Sequence, residues 1–170
     1  TFINLEGTRP ILIEIQALVD KSMLPNPKRL TVGTDSQRLT MLLAILHRHV
    51  SLATYDQDVF LNAVGGIKIT ETASDLPVLI SIVSSMTNHA VSNKTAMFGE
   101  VGLGGEIRPV SRGQERIKEA AKLGFTRIIV PKKNKVAELL GVEIVPVENL
   151  REAVKAVFGS QVSQAESFDS

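Results

Sequence analysis

Ser74 is the residue whose type and setting come nearest to chemistry. The chain has no cysteine, which excludes thiolate nucleophiles, disulfides and thiolate metal sites. A serine can still act as a nucleophile when a lysine, kept neutral by desolvation, lies against its hydroxyl, and such a dyad needs neither histidine nor metal. Both residue types are present. The competing role for Ser74 is structural. It precedes Leu76, Val78, Leu79, Ile82, Val83 and Met86 at helical spacing, so its oxygen could cap a helix, with Asp75 favourable at the positive end of the dipole. His47 and His49 point roughly 200° apart around a helix axis, so they read as surface or partly packed histidines and no metal site is expected. In Gly102-Leu103-Gly104-Gly105-Glu106-Ile107 an isoleucine stands where the dinucleotide fingerprint needs its last glycine, and no Gly-Lys-Ser/Thr follows. Nucleotide binding is therefore not expected within this module.

The second clue is charge. The net charge is only +1, yet the stretch from Arg108 to Lys135 holds nine Lys or Arg against Glu115 and Glu119, a local balance of +7 that leaves the remaining residues at −6. Such a block suits a polyanion, or it is a solvated face. Aromatic residues make up 4%, so base-stacking platforms are not expected and any grip on nucleic acid would run through phosphates. At 170 residues, with 44% hydrophobic and 22% charged residues, the chain reads as one globular α/β domain. No apolar run approaches the roughly 20 residues that cross a bilayer. The absence of cysteine fits a cytoplasmic protein. Thr1 opens in a strand-like stretch with no methionine and no basic leader, which reads as a piece of a longer polypeptide.

The elements that would position these residues alternate between strand and helix. After a turn at Thr8-Arg9-Pro10, Ile11 to Val19 alternates as a half-buried strand. Asp35 or Ser36 caps a helix through about Val50, with Leu39, Leu42, Leu43, Leu46 and Val50 on its apolar face. Val59 to Val64 and Ile67 to Thr70, joined by Gly65-Gly66, read as a hairpin. The helix after Ser74 tolerates Pro77 in its first turn and ends near Asn88. Thr95 to Gly99 and Glu106 to Val110 read as strands around the glycine turn. A helix from about Arg112 to Leu123 stops at Gly124. Arg127 to Val130 and Glu143 to Val147 are strands, and Asn149 to Phe158 is the last helix. The domain is expected over residues 1–158, and the Ser/Gln-rich residues 159–170 are expected to be disordered.

Four strings resemble a known family: Glu6-Gly7-Thr8-Arg9-Pro10, Asn62-Ala63-Val64-Gly65-Gly66-Ile67-Lys68, the segment from Phe98-Gly99-Glu100 through Gly105-Glu106-Ile107-Arg108, and Gln114-Glu115-Arg116-Ile117-Lys118-Glu119-Ala120-Ala121-Lys122-Leu123-Gly124-Phe125. They look like the C-terminal domain of the RadA (Sms) family of bacterial DNA repair proteins, over roughly residues 2–158. That domain is similar to the proteolytic domain of Lon protease, so the resemblance implies a Lon protease-like α+β fold, ribosomal-protein-domain-like, with a mixed sheet and packed helices. It also implies a preceding zinc-binding segment and a RecA-like ATPase, so Zn, Mg and ATP would belong to those parts and no cofactor to this one.

Lon's serine turn falls by position on Thr72-Ala73-Ser74-Asp75-Leu76, without the flanking glycines. Its lysine falls on Gln114, in Ser111-Arg112-Gly113-Gln114, and glutamine cannot serve as the base. Lys118 lies one turn along, about 6 Å away, where a nucleophile and base need about 3 Å. The resemblance thus implies a protease fold without its catalytic parts, serving a hexameric, ATP-driven motor that branch-migrates DNA during recombination, with RecA recombinase as a possible partner. In a ring, Lys68, Arg108, Arg112 and Arg116 would line the DNA-facing lumen, while Lys132 and Lys133 would sit on the outer rim. The bland alternative pairs Arg112 with Glu115, and Lys118 and Lys122 with Glu115 and Glu119, as surface ion pairs. A pure oligomerisation scaffold without DNA contact, and a residual serine peptidase, are the alternative functions.

Overall fold

A computed structural model describes residues 1–139 and 141–159. In chain order the elements are β1 (Phe2–Glu6), β2 (Arg9–Ile13), β3 (Ile15–Lys21), β4 (Arg29–Val32), α1 (Ser36–Val50), β5 (Gln57–Ala63), α2 (Asp75–Thr87), β6 (Thr95–Met97), β7 (Glu100–Val101), β8 (Ile107–Arg108), α3 (Gly113–Lys122), β9 (Arg127–Pro131), β10 (Glu143–Val147) and α4 (Leu150–Phe158). Single 3₁₀ turns stand at Thr72–Ser74 and Lys132–Asn134. The architecture is mixed α/β. One sheet runs β10-β9-β6-β1-β2, parallel except for the β1/β2 hairpin, and a second runs β3-β5-β4. The short β7/β8 pair carries the glycine-rich turn.

Sequence periodicity placed the helices well because their ends are set by local chemistry. The Asp35 side chain accepts from the Gln37 and Arg38 amides and caps α1, a bond worth about 1 kcal/mol. Asn149 does the same for α4 through the Glu152 amide. Helix α2 ends at Asn88 in the left-handed region. It is the centre of the core: Leu76, Val78, Leu79, Ile80, Ile82 and Val83 are all buried, each contributing about 1.5–3 kcal/mol against exposure. One side of α2 packs on β3, and it also touches α1 and α4.

Strand partners were harder to read. The expected strand from Ile11 to Val19 is two strands in different sheets: Ile13 pairs with Phe2, whereas Ile15 pairs with Ala63. The alternation continues across the exposed Glu14 without changing phase, so period alone could not reveal the break. The turn expected at Thr8-Arg9-Pro10 is the two residues Gly7 and Thr8, because Arg9 and Pro10 already pair with Glu6 and Leu5. Proline is tolerated there since β2 is an edge strand. The hairpin expected across Gly65-Gly66 does not form. Strand β5 is central, with β3 on one edge and β4 on the other, which leaves no edge for Ile67 to Thr70. That segment instead returns beside the end of β4, with the Ile69 amide donating to the Gly33 carbonyl at 2.7 Å. Residues 160–170 of the expected disordered tail lie outside the described residues.

Candidate functional site

The serine expected to mark the old catalytic turn stands at the entry to α2, and two buried ion pairs bracket it. Its hydroxyl does not cap the helix, as the spacing suggested. It donates to the Glu71 carbonyl at 3.0 Å, because the Thr72–Ser74 turn already carries Ser74 into helical conformation. The start of α2 is held by tertiary bonds instead: the Leu76 amide donates to the Gly99 carbonyl at 3.0 Å, the Gly99 amide to the Ala73 carbonyl at 2.9 Å, and the Val101 amide to the Asp75 carboxylate at 3.0 Å.

On one side of Ser74, Asp75 is 1% exposed. Its carboxylate accepts from Arg38 in a two-pronged pair, Nε to Oδ1 at 3.0 Å and Nη2 to Oδ2. Burial pushes the Asp75 carboxyl above its ordinary range, opposed by Arg38 and the Val101 amide. On the other side, Arg116 is 0% exposed. Its Nη1 and Nη2 donate to the Glu71 carboxylate at 2.6 and 2.9 Å, and Nη1 and Nε donate to the Ile3 and Ser111 carbonyls at 2.8 and 3.0 Å. The Phe98 ring lies 5.7 Å from the guanidinium. Glu71 also takes the Leu5 amide at 2.8 Å. The buried cation beside the serine turn is thus an arginine, a group with donors and no lone pair to take a proton.

A cleft of about 80 Å³ opens beside this turn, walled in part by Thr34, Arg38, Glu71, Ser74 and Asp75. No lysine lines it. Gln114, the residue at the expected lysine position, is exposed near the start of α3. Lys118 is exposed as well, and among the described residues neither bonds to Ser74.

The four expected DNA contacts separate. Arg116 is a correction: it is fully buried and committed to Glu71, so it cannot reach a phosphate. The sequence held a signal for this, since Gly113, Arg116, Ile117 and Ala120 fall at the spacing of a buried helix stripe. Arg112 is not on the helix face expected of it but precedes α3 in the left-handed region, φ +57°, with its side chain half exposed and 3.9 Å from Glu115. Arg108 is half exposed and bonded to Glu106, with Glu100 at 3.6 Å. Lys68 is exposed and has no ion-pair partner among the described residues.

Five of the nine cations from Arg108 to Lys135 are paired: Arg108, Arg112, Arg116, Arg127 and Lys132. Among the described residues Lys118, Lys122, Lys133 and Lys135 have no ionic partner, so the expected pairing of Lys118 and Lys122 with Glu115 and Glu119 is not made. Lys133 and Lys135 flank Asn134, whose side chain exchanges hydrogen bonds with the Val110 backbone at 2.8 and 3.1 Å and lies against Gly113. The turn expected on a remote rim is therefore anchored at the start of α3, beside Arg112. Among the described residues no group of three or more His, Asp or Glu is placed to hold a metal ion, and no helix is long and apolar enough to cross a membrane.

Comparison with known proteins gives two findings. The chain is similar to DNA repair protein RadA of Pseudomonas aeruginosa, 54% identical over 90% of this chain and 34% of that protein. It is likewise similar to RadA of Escherichia coli, 55% identical over 88% of this chain and 33% of that protein, and to RadA of Bacillus subtilis, 44% identical over 92% of this chain and 34% of that protein. The chain thus spans about a third of the length of these relatives. Residues 41–134, which carry the greater part of α1, the serine turn, the glycine loop and α3, match a family model as well, and through that match the chain belongs to the ChlI family, described as subunit ChlI of Mg-chelatase.

Proposed function

We propose that this chain is the non-catalytic, Lon protease-like module of a RadA-type DNA repair and recombination protein, and that it contributes phosphate contacts to DNA and a surface for self-association into a ring. The repair context is supported by the RadA relatives. The DNA contact rests on one observation: among the described residues Lys118, Lys122, Lys133 and Lys135 have no ionic partner, and two of them flank a turn anchored beside Arg112. With Lys68 added, these replace the buried Arg116 as candidate contacts. Aromatic residues for stacking are few, so recognition runs through phosphates and is independent of base sequence.

The non-catalytic reading is supported by the serine's surroundings. The Ser74 hydroxyl donates its hydrogen bond to the Glu71 carbonyl, no lysine lines its cleft among the described residues, and the neighbouring cation is a guanidinium. ATP, Mg and Zn are assigned to other parts of a longer polypeptide, and a place in the cytoplasm is supported by the DNA repair relatives.

The scaffold reading has its own support. Leu18, Phe60 and Leu30 stand opposite one another across β3, β5 and β4. Leu18, Leu30 and Val32 are 58%, 56% and 52% exposed, an apolar face of the kind that marks an interface. The two readings separate in one experiment, a salt titration of duplex DNA binding with sedimentation alongside. The DNA reading requires log affinity to fall with log salt by about 0.9 per phosphate neutralised, and Lys133→Glu with Lys135→Glu to lower both the affinity and that slope. An assembly that forms without binding DNA, or binding that both variants leave untouched, supports the scaffold alone.

A further inference from the structure

The segment that leaves β5 and runs to the serine turn forms one wall of the cleft beside Ser74, and little holds it there. Its entry has two consecutive glycines in the left-handed region, Gly65 at φ +96° and Gly66 at φ +70°, and a Cβ added at either would meet nothing within 4 Å. Packing does not demand glycine at these positions; the backbone conformation does, and glycine also leaves it the widest freedom to turn. The exit is fixed. The Glu71 carboxylate accepts from Arg116 at 2.6 and 2.9 Å and from the Leu5 amide at 2.8 Å. Between these ends, among the described residues, one backbone hydrogen bond ties the segment down, from the Ile69 amide to the Gly33 carbonyl at 2.7 Å. Ile69 is the buried side chain of this stretch, at 6% exposure, while Lys68 and Thr70 on either side of it are exposed.

There is empty space along both halves of the segment. A cavity of about 250 Å³ is walled in part by Gly33, Thr34, Gly66, Ile67 and Lys68, and the cleft of about 80 Å³ in part by Thr34, Ile69, Thr70, Leu39 and Leu61. Thr34 belongs to both, and its Oγ1 is buried without a hydrogen-bond partner among the described residues. A sealed hydroxyl of this kind is a cost borne by the closed arrangement. We propose that residues 67–70 are a strap that swings out on the Gly65-Gly66 hinge, with Ile69 as its latch, and joins the two cavities into one groove beside Ser74.

The latch sets how often this happens. One backbone hydrogen bond and one buried isoleucine favour the closed strap by about 10²–10³-fold. Unfolding a whole domain is rarer, by about 10⁴-fold or more against the folded state, so the strap opens as a unit of its own. Nothing else has to move. Strand β5 keeps β3 and β4 on its two edges, and the Glu71 anchor stays bonded. The open groove presents the Gly33 carbonyl and the Thr34 hydroxyl beside the apolar Leu39 and Leu61.

The chain has no cysteine, so a single introduced thiol reports opening without background. Thr34→Cys places it between the two cavities and removes no hydrogen bond. Ala96→Cys, fully buried in the inner strand β6, reports global unfolding. With a thiol-reactive disulfide reagent, Thr34→Cys should label at least about tenfold faster than Ala96→Cys, the gap between latch and whole-domain stability. Its rate should be nearly flat in urea below the unfolding transition, because a short opening exposes little surface. In the unmodified chain the Ile69 amide should exchange with deuterium at least about tenfold faster than the Leu79 amide of α2, with the same flat urea dependence. If Thr34→Cys labels at the Ala96→Cys rate with the same urea slope, or if the Ile69 amide exchanges only with global unfolding, the strap is refuted. Fast labelling of Thr34→Cys beside a protected Ile69 amide refutes it too, since the thiol is then reached through the standing cleft. Should Thr34→Cys fail to fold, exchange of the Ile69 amide in the unmodified chain decides alone.

Discussion

Replacing Arg116 by alanine should destabilise this domain without removing a direct contact to DNA. The side chain makes four hydrogen bonds at 2.6 to 3.0 Å, two to Glu71 and two to the Ile3 and Ser111 carbonyls, and it is sealed from solvent. Its loss leaves the Glu71 carboxylate with only the Leu5 amide and opens a cavity against β1. Breaking a buried pair from one side costs about 3–5 kcal/mol. Glu71 keeps 24% exposure, so water can take up part of its charge and the lower end, about 3 kcal/mol, applies. That is a large share of the 5–15 kcal/mol typical of a whole domain, and it lowers the melting midpoint by about 6–12 °C. Arg116→Lys should recover part of the loss, since one ammonium cannot serve a bidentate carboxylate and two carbonyls together. Glu71→Leu combined with Arg116→Met should cost less than the sum of the single changes, by about 1–3 kcal/mol. Urea unfolding of Arg116→Ala, Arg116→Lys, Glu71→Leu, Arg116→Met and the double variant measures all of this. The reasoning fails if Arg116→Ala is as stable as wild type, or if it keeps its stability and loses DNA affinity, because the guanidinium would then have to face solvent.

Three further outcomes follow from the same geometry. Burial raises the Asp75 carboxyl in the folded state, so the folded chain binds a proton more readily there than the unfolded one. The stability advantage of wild type over Asp75→Asn should therefore be largest at low pH, decline as pH rises from the ordinary carboxylate value to the raised one, and stay flat above it; an advantage that grows with pH contradicts this. Ser74→Ala removes one hydrogen bond to a carbonyl and should cost about 0.5–1.5 kcal/mol in denaturant with no peptidase activity to lose, whereas hydrolysis that vanishes in this variant would restore the protease reading. Gly33→Ala should cost more than about 1 kcal/mol by thermal unfolding, because its φ is +82° and the added methyl would meet the Ile67 carbonyl at 2.6 Å and the Ala63 side chain at 2.8 Å; a neutral effect would mean that β4 and the returning segment are not in contact.

The parts of this fold that could be read from sequence are those whose causes are local. Helix α1 is capped by the residue before it and follows the period of its own leucines, so its bounds were visible in about fifteen consecutive residues. Strand β10 was legible for the same reason. The division of Ile11 to Val19 was not, because alternation states which face is buried and never which neighbour buries it. The failed hairpin at Gly65-Gly66 has a related cause. A turn dipeptide licenses a reversal, but pairing also needs a free edge, and β5 has none.

The charge clue shows the limit most clearly. Counting nine cations in one stretch treats each as available, yet availability depends on carboxylates placed by the fold. Arg116 finds Glu71 across 45 residues of sequence, and outside that stretch Arg38 finds Asp75 across 37. Arg108 is held by a residue only two positions away, the same-face neighbour that a strand period of two supplies. What can meet a polyanion is the charge left after these pairs are formed. By that measure the surface that matters has moved from the Arg108-to-Arg116 segment towards Lys118, Lys122, Lys133 and Lys135. Arg108 is shared by Glu106 and Glu100, so on the proposed DNA reading any contribution from it should appear in a Glu106 or Glu100 variant before it appears in the wild type.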